Sequence, residues 1–316
     1  MTQAVLVVCL GLATVALAAG AGTALVALAG VAMRRGRWSA GAARTRASLL
    51  AQARLAPLTL SLVLVPLVQL AFWRFEPVHP AEPTGLALPL LALAGAGVLA
   101  VVARHGWQSL RATDRVARAW RRAGQPTHIP GWQGRAWIVR TEFPVVAVVG
   151  LGRAELFVSA EVVDACSAAE IAAIAAHERA HVTGRDNLTR LLFALAPAAG
   201  SAPARLERAW ATTAEEIADL HARATGDGLT LAQALTKVAR LAVHVSAPTP
   251  PLAISSLIGG NNLEGRVRRL LEPAPSPNRA RRGLPAVTVV PVAVAAALWC
   301  LPAIYDIVEL IVTLGR

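Results

Sequence analysis

Between Ala4 and Met33 the chain carries no charged side chain at all, and the run stops abruptly at Arg34-Arg35-Gly36-Arg37. A helix over that run would be about 45 Å long, more than the ~30 Å hydrocarbon core of a bilayer. A signal peptide would have a shorter apolar region preceded by basic residues. No Lys or Arg occurs before Arg34, so a true span is expected over about 4–33. Leu55–Phe72 and Leu86–Val102 predict a second and a third span. Ala286–Ile311 predicts a fourth, interrupted by Pro291, Pro302 and Asp306. Leu191–Ala199 is apolar but short and contains Pro197, which suits buried packing or a membrane-dipping helix. Hydrophobic residues make up 55% of the chain and charged residues 16%, a profile that excludes a wholly soluble enzyme. The organisation expected is a membrane domain over 1–103 (spans at about 4–33, 55–72 and 86–102), a soluble insert over 104–284, and a last span with a short tail over 285–316.

Charge asymmetry orients the spans. Arg34 to Arg54 contains six Arg and no acids, whereas Trp73 to Thr84 holds one Arg, two Glu and three Pro. Basic side chains resume at Arg104 and recur through Arg122. The N-terminus is therefore expected outside a cell membrane and the insert in the cytoplasm. The net charge of +12 does not point to nucleic acid. Lys237 is the only Lys among 31 basic residues, many Arg flank the spans where anionic headgroups are a sufficient partner, and no aromatic-basic interleaving occurs. Cys9, Cys166 and Cys300 have neither metal-ligand spacing nor a disulfide pattern.

The chemistry lies in His177-Glu178-Arg179-Ala180-His181. Two histidines four apart share a helix face and can reach one metal ion, and Glu178 between them is placed to take a proton from the water that the metal activates. Ser167-Ala168-Ala169-Glu170 is a capping box that starts this helix, and Ile171, Ile174 and Ala175 give it an apolar stripe. Catalytic zinc takes three protein ligands and leaves one position open. His79, His105 and His128 lie in loops or near membrane borders and are poor third ligands. Downstream, Glu215 and Asp219 stand one turn apart in a helix-forming stretch. Glu215 is the expected third ligand, and Asp219 is expected to accept a hydrogen bond from a ligand histidine and fix its tautomer. Glu216 projects about 100° away around the helix and is expected to be solvated. Asp186 is expected mainly to cap the next helix, with orienting the site as the alternative.

Within the insert, Arg104–Arg122 predicts a basic helix leaving the membrane. Ala136–Val139, Val145–Val149 and Glu155–Ser159 predict a small sheet beside the catalytic helix. The last of these, with Phe157, Val158 and Ser159, is the candidate edge strand for an extended substrate. Helices are expected to about Val243 and again over Leu263–Leu271. The fold class is thus mainly α: four transmembrane helices, with an α+β zincin-like domain between the third and fourth.

These features together resemble the BlaR/MecR-type integral-membrane zinc metallopeptidases, and the related HtpX/Ste24-type peptidases that share the gluzincin arrangement. The resemblance rests on Phe157-Val158-Ser159, Ser167-Ala168-Ala169-Glu170-Ile171, Ala176-His177-Glu178-Arg179-Ala180-His181, Arg185-Asp186-Asn187 and Glu215-Glu216-Ile217-Ala218-Asp219. It implies one zinc ion, endopeptidase activity in signal transduction, and a protein or peptide substrate such as a BlaI-type repressor. Resemblance to the HtpX group implies quality control of membrane proteins instead, and a non-proteolytic zinc-binding regulator is the third reading. The chain reaches Arg316 without the penicillin-binding sensor domain of antibiotic-sensing members, so β-lactam sensing is not expected. Partners expected are the substrate and the bilayer, with homo-oligomerisation left open and no direct nucleic-acid contact. The tetrahedral oxyanion of peptide hydrolysis needs a donor, and the candidates are His221, Arg223, His244 and Arg266. Arg266 resembles a downstream Arg of the related membrane peptidases.

Overall fold

A computed structural model describes residues 2–34, 43–75, 85–196, 198–242, 254–256, 263–272 and 300–314. Three long, apolar helices come first: α1 (Gln3–Arg34), α2 (Ala43–Phe75) and α3 (Ala87–Ala123). All three are long and apolar enough to cross a bilayer. They approach closely where a side chain is missing. A Cβ on Gly22 would lie 2.3 Å from Pro57 Cα, and one on Gly95 would lie 1.8 Å from Leu12 O, so these glycines set the α1–α2 and α1–α3 contacts.

The 103/104 boundary falls inside α3, which runs unbroken from its apolar half into its basic half. The basic half does not remain solvated: Val116, Ala117 and Trp120 pack on Val139, Val149 and Phe157 of the sheet. One continuous helix therefore links the membrane part to the insert.

The sheet comprises β1 (Gly124–Thr127), β2 (Ala136–Val139), β3 (Val146–Val149), β4 (Glu155–Ser159) and β5 (Ile254–Ser256), in the order β1-β2-β4-β3-β5. Expectation and structure agree on β2, β3 and β4. They part on the edge. β4 pairs parallel with β2 and antiparallel with β3, and all five of its residues are buried. With both backbone edges taken, Phe157, Val158 and Ser159 form a central strand and cannot receive a substrate strand. Their apolar character reflects two covered faces. The strand that touches the catalytic helix is β3, and its outer edge carries β5.

After β4 come α4 (Ala160–Ala165), α5 (Ala168–Gly184), α6 (Asp186–Ala194), α7 (Ala202–Thr225), α8 (Gly228–Ala242) and α9 (Leu263–Leu271). Ile171, Ile174 and Ala175 of α5 join Val148, Leu156 and Leu235 in the main core. A second cluster joins Val26 of α1 and Leu50 of α2 to Phe193, Leu206 and Trp210, seating α6 and α7 on the membrane helices. α10 (Leu301–Thr313) packs Val308 against Leu10, Phe72 and Leu88, at the opposite end of the helical bundle from the insert. The expected fourth span lies outside the described residues up to Trp299. Its described part is a helix of 13 residues, about 20 Å long.

Candidate metal centre

Helix α5 begins with the capping box that its sequence predicts. Glu170 N donates to Ser167 Oγ and Ser167 N to Glu170 Oε2, with Lys237 Nζ 2.7 Å from the same carboxylate. The helix ends at Arg185, which has a left-handed backbone (φ 54°), a conformation that costs a non-glycine residue about 1–2 kcal/mol. The neighbouring glycine explains the placement. A Cβ on Gly184 would lie 2.9 Å from Asp186 Oδ1, so Gly184 leaves room for that carboxylate and Arg185 takes the turn. Asp186 then reaches back to His181 Nδ1 at 2.6 Å. It makes no side-chain cap on α6, so the capping role expected for it gives way to an orienting one. Asn187 fixes α6 to the sheet, donating from Nδ2 to Val148 O and Gly150 O.

His177, His181 and Glu215 meet in the interior, with their ligand atoms all within 4.8 Å of one another. Nε2 of His177 lies 3.2 Å from Nε2 of His181 and 3.4 Å from Glu215 Oε2, and His181 Nε2 lies 3.6 Å from Glu215 Oε1. Ligand atoms held tetrahedrally at about 2.0–2.1 Å from zinc stand about 3.3–3.4 Å apart, so the trio has the right size for that ion. Tautomers agree. The His181 Nδ1–H donates to Asp186, which leaves a lone pair on Nε2. His177 Nδ1 lies 3.1 Å from Asp219 Oδ1, an ionic contact without hydrogen-bond geometry, and its Nε2 faces the trio. Two facing imidazole lone pairs 3.2 Å apart repel unless a cation or a shared proton lies between them.

Glu178 is fully buried, and both its oxygens lack a hydrogen-bond partner. Burial pushes its carboxyl up to about 8, although the nearby His181 pulls the other way. Burial also opposes ionisation of Glu215, but the His181 and His177 rings and the Arg266 guanidinium outweigh it and hold that carboxyl well below the usual range. For His177, burial opposes charge, yet Asp219 and Glu215 raise its pKa. The pocket thus favours ionisation of one carboxyl and opposes that of the other, the separation expected of a ligand and a proton carrier.

Of the four oxyanion-donor candidates, Arg266 reaches the trio. It is 3% exposed, with Nη1 3.0 Å from Glu215 Oε2 and Nη2 2.7 Å from Asp219 Oδ1. The guanidinium is held by carboxylates on α7. His221 lines a separate cavity beside α2, Arg223 donates to Arg269 O, and His244 lies outside the described residues. Glu216 faces away from the trio as expected, but is ion-paired with Arg46 of α2 rather than simply solvated. Sequence reasoning also gave no role to Arg54, which is 5% exposed and donates to Glu207, Phe193 O and Ala196 O. Its position in a basic loop concealed that.

A comparison with curated proteins finds no match to this chain. Residues 115–249, from the end of α3 to just beyond α8, match the model of peptidase family M48, whose members are metal-dependent, and this match together with the His177–His181–Glu215 trio supports a metallopeptidase.

Proposed function

We propose that the protein is a membrane-embedded zinc endopeptidase that cleaves a cytoplasmic or membrane protein. The observation that carries this reading is Glu178. It is a fully buried carboxyl with two unpartnered oxygens, next in sequence to a ligand of a trio spaced for tetrahedral zinc. Its burial without partners costs stability, and a proton-transfer role explains why it is there. A zinc ion held by His177, His181 and Glu215 would polarise the scissile carbonyl and activate a water for attack. Glu178 accepts the proton from the attacking water and delivers it to the leaving amine. Asp186 and Asp219 hold the two rings in the tautomers that binding requires. Arg266 supplies the positive charge that keeps Glu215 and Asp219 ionised, and is a positioning residue on this reading. An extended substrate could pair with the outer edge of β3, beside α5, only by displacing Ile254–Ser256, which pairs there in this structure.

The domain limits proposed are 1–103, 104–284 and 285–316, with the insert in the cytoplasm. Six Arg between Arg34 and Arg54 support that orientation, and the packing of α10 at the far end of the bundle is consistent with a fourth span. Purified full-length protein should degrade an unfolded protein in a chelator-sensitive way. Glu178→Gln should lower that rate about 10²–10⁴-fold with zinc content unchanged, and undiminished proteolysis would overturn the mechanism. Cells carrying wild-type or Gln protein, compared by proteomics, separate the two substrate classes. One accumulating protein identifies a regulatory target such as a repressor, and many identify quality control.

A further inference from the structure

Apart from the metal centre, a cavity of about 620 Å³ lies where α1 and α3 meet α6 and α7. That volume is within the range of sites that bind small molecules. None of His177, Glu178, His181 and Glu215 lines it. Its two ends differ in chemistry. Ala16, Ala19 and Gly20 of α1 and Ala94 and Val98 of α3 supply its apolar lining. Eleven residues beyond Ala94, about 16 Å along α3, His105 marks the other end beside Arg54, Arg190 and Glu207.

The cationic end is not balanced. Glu207 is taken by Arg54 at 2.7 Å. The Arg190 guanidinium stacks over Trp210, 5.6 Å from the ring centroid, and its Nε is buried without a hydrogen-bond partner. Among the described residues no carboxylate lies within ion-pair distance of Arg190. A guanidinium so placed wants an anion. The apolar end lies within the expected first and third spans and the cationic end at the basic border that follows Val102. A free anion would use only the cationic end, whereas an amphiphile of that polarity uses both.

We propose that this cavity binds one anionic phospholipid, with its phosphate on Arg190 and an acyl chain along the small residues of α1 and α3. Basic pockets between spanning helices on the cytoplasmic side have the chemistry for such headgroups. The site rests on the membrane reading of α1 and α3 and shares no lining residue with the metal trio or Glu178, although the Arg190 charge is felt at Glu178. Gly20 offers a clean probe of the apolar lining, because a Cβ there would meet nothing within 4 Å. Gly20→Leu therefore fills the cavity without straining the backbone.

The test uses full-length protein in detergent, exchanged with vesicles of phosphatidylcholine and phosphatidylglycerol, with bound lipid counted by native mass spectrometry. One phosphatidylglycerol should be retained in preference to phosphatidylcholine. Arg190→Gln should weaken retention about fivefold, the effect of one cation at an anionic headgroup, and Gly20→Leu should weaken it at least as much. Zinc content should be unchanged in both variants. Excess inorganic phosphate should displace no lipid. Retention that is equal in all three proteins, or that responds to Arg190→Gln but not to Gly20→Leu, overturns the proposal. So does displacement by phosphate, or a loss of substrate cleavage in the variants with lipid retention unchanged, which would assign the cavity to a substrate segment. Failure of the peptidase reading would show in the Glu178→Gln assay and leave these lipid counts unaffected.

Discussion

Glu215 and Glu216 are neighbours of the same residue type on α7, and they face different worlds. Glu215 points into the insert, is 7% exposed and meets two histidines and Arg266. Glu216 points toward the bundle and pairs with Arg46, with Thr213 bonded to the same guanidinium. Two and a half turns earlier on α7, Glu207 meets Arg54. One face of the helix thus carries a candidate metal ligand and its support, and the other carries clamps to α2. The difference teaches that a carboxylate's role here follows from its angle about the helix axis, about 100° per residue. It also means that α7 cannot shift against α2 without moving a metal ligand.

The sharpest way to break this contrast is to truncate each glutamate in turn. Glu215→Ala should abolish tight zinc binding and, with it, proteolysis. Glu216→Ala should bind zinc within about twofold of wild type and lose no more than about 1 kcal/mol of stability. Zinc titration and thermal unfolding check both, and equal effects at the two positions would erase the distinction between the faces. Support of the ligands is the next level. Asp186→Asn and Asp219→Asn should each weaken zinc about 10–100-fold, measured by competition with a chromogenic chelator, with secondary structure retained.

On the clamp side, Arg54→Gln should cost about 2 kcal/mol, because two buried carbonyls and Glu207 lose a charged donor. Arg46→Gln should cost less than about 1 kcal/mol, since both partners are partly exposed. Denaturant unfolding of the detergent-solubilised protein orders the two. The smallest signal is counted in protons. Without zinc, the folded protein keeps the Glu178 proton up to about pH 8, whereas the unfolded chain releases it near the ordinary glutamate value of 4.5. The folded state therefore holds the extra proton between these values, and this group's contribution to metal-free stability falls as pH rises through the window. A bound cation favours the carboxylate, so zinc loading at pH 7 should release more protons from wild type than from Glu178→Gln. Calorimetry in buffers of different ionisation enthalpy measures the difference.

Local patterns were legible because their causes are local. The capping box, the i, i+4 histidines and the one-turn spacing of Glu215 and Asp219 depend only on helix geometry, and Ser167, His177, His181 and Asp219 occupy the places that geometry assigns. The short β-rich runs were legible for the same reason. Asp186 was not. Its reach to His181 depends on Arg185 accepting a left-handed turn beside a glycine with no side chain, which sequence statistics assign more readily to Gly184 itself. The edge of the sheet was also hidden, since alternation and β-propensity say that a segment is a strand but not which strands flank it.

By itself, then, the sequence determined three apolar helices, a capped helix bearing HExxH and a second helix with a carboxylate at ligand spacing, because each follows from periodicity along a few turns. Only the tertiary structure decided that β4 is central, that Arg266 rather than His221 or Arg223 joins the trio, and that Arg46 and Arg54 fasten the ligand helix to the membrane part. Those outcomes depend on pairing and packing between segments tens to hundreds of residues apart, and no local rule encodes which of several compatible partners a side chain will meet.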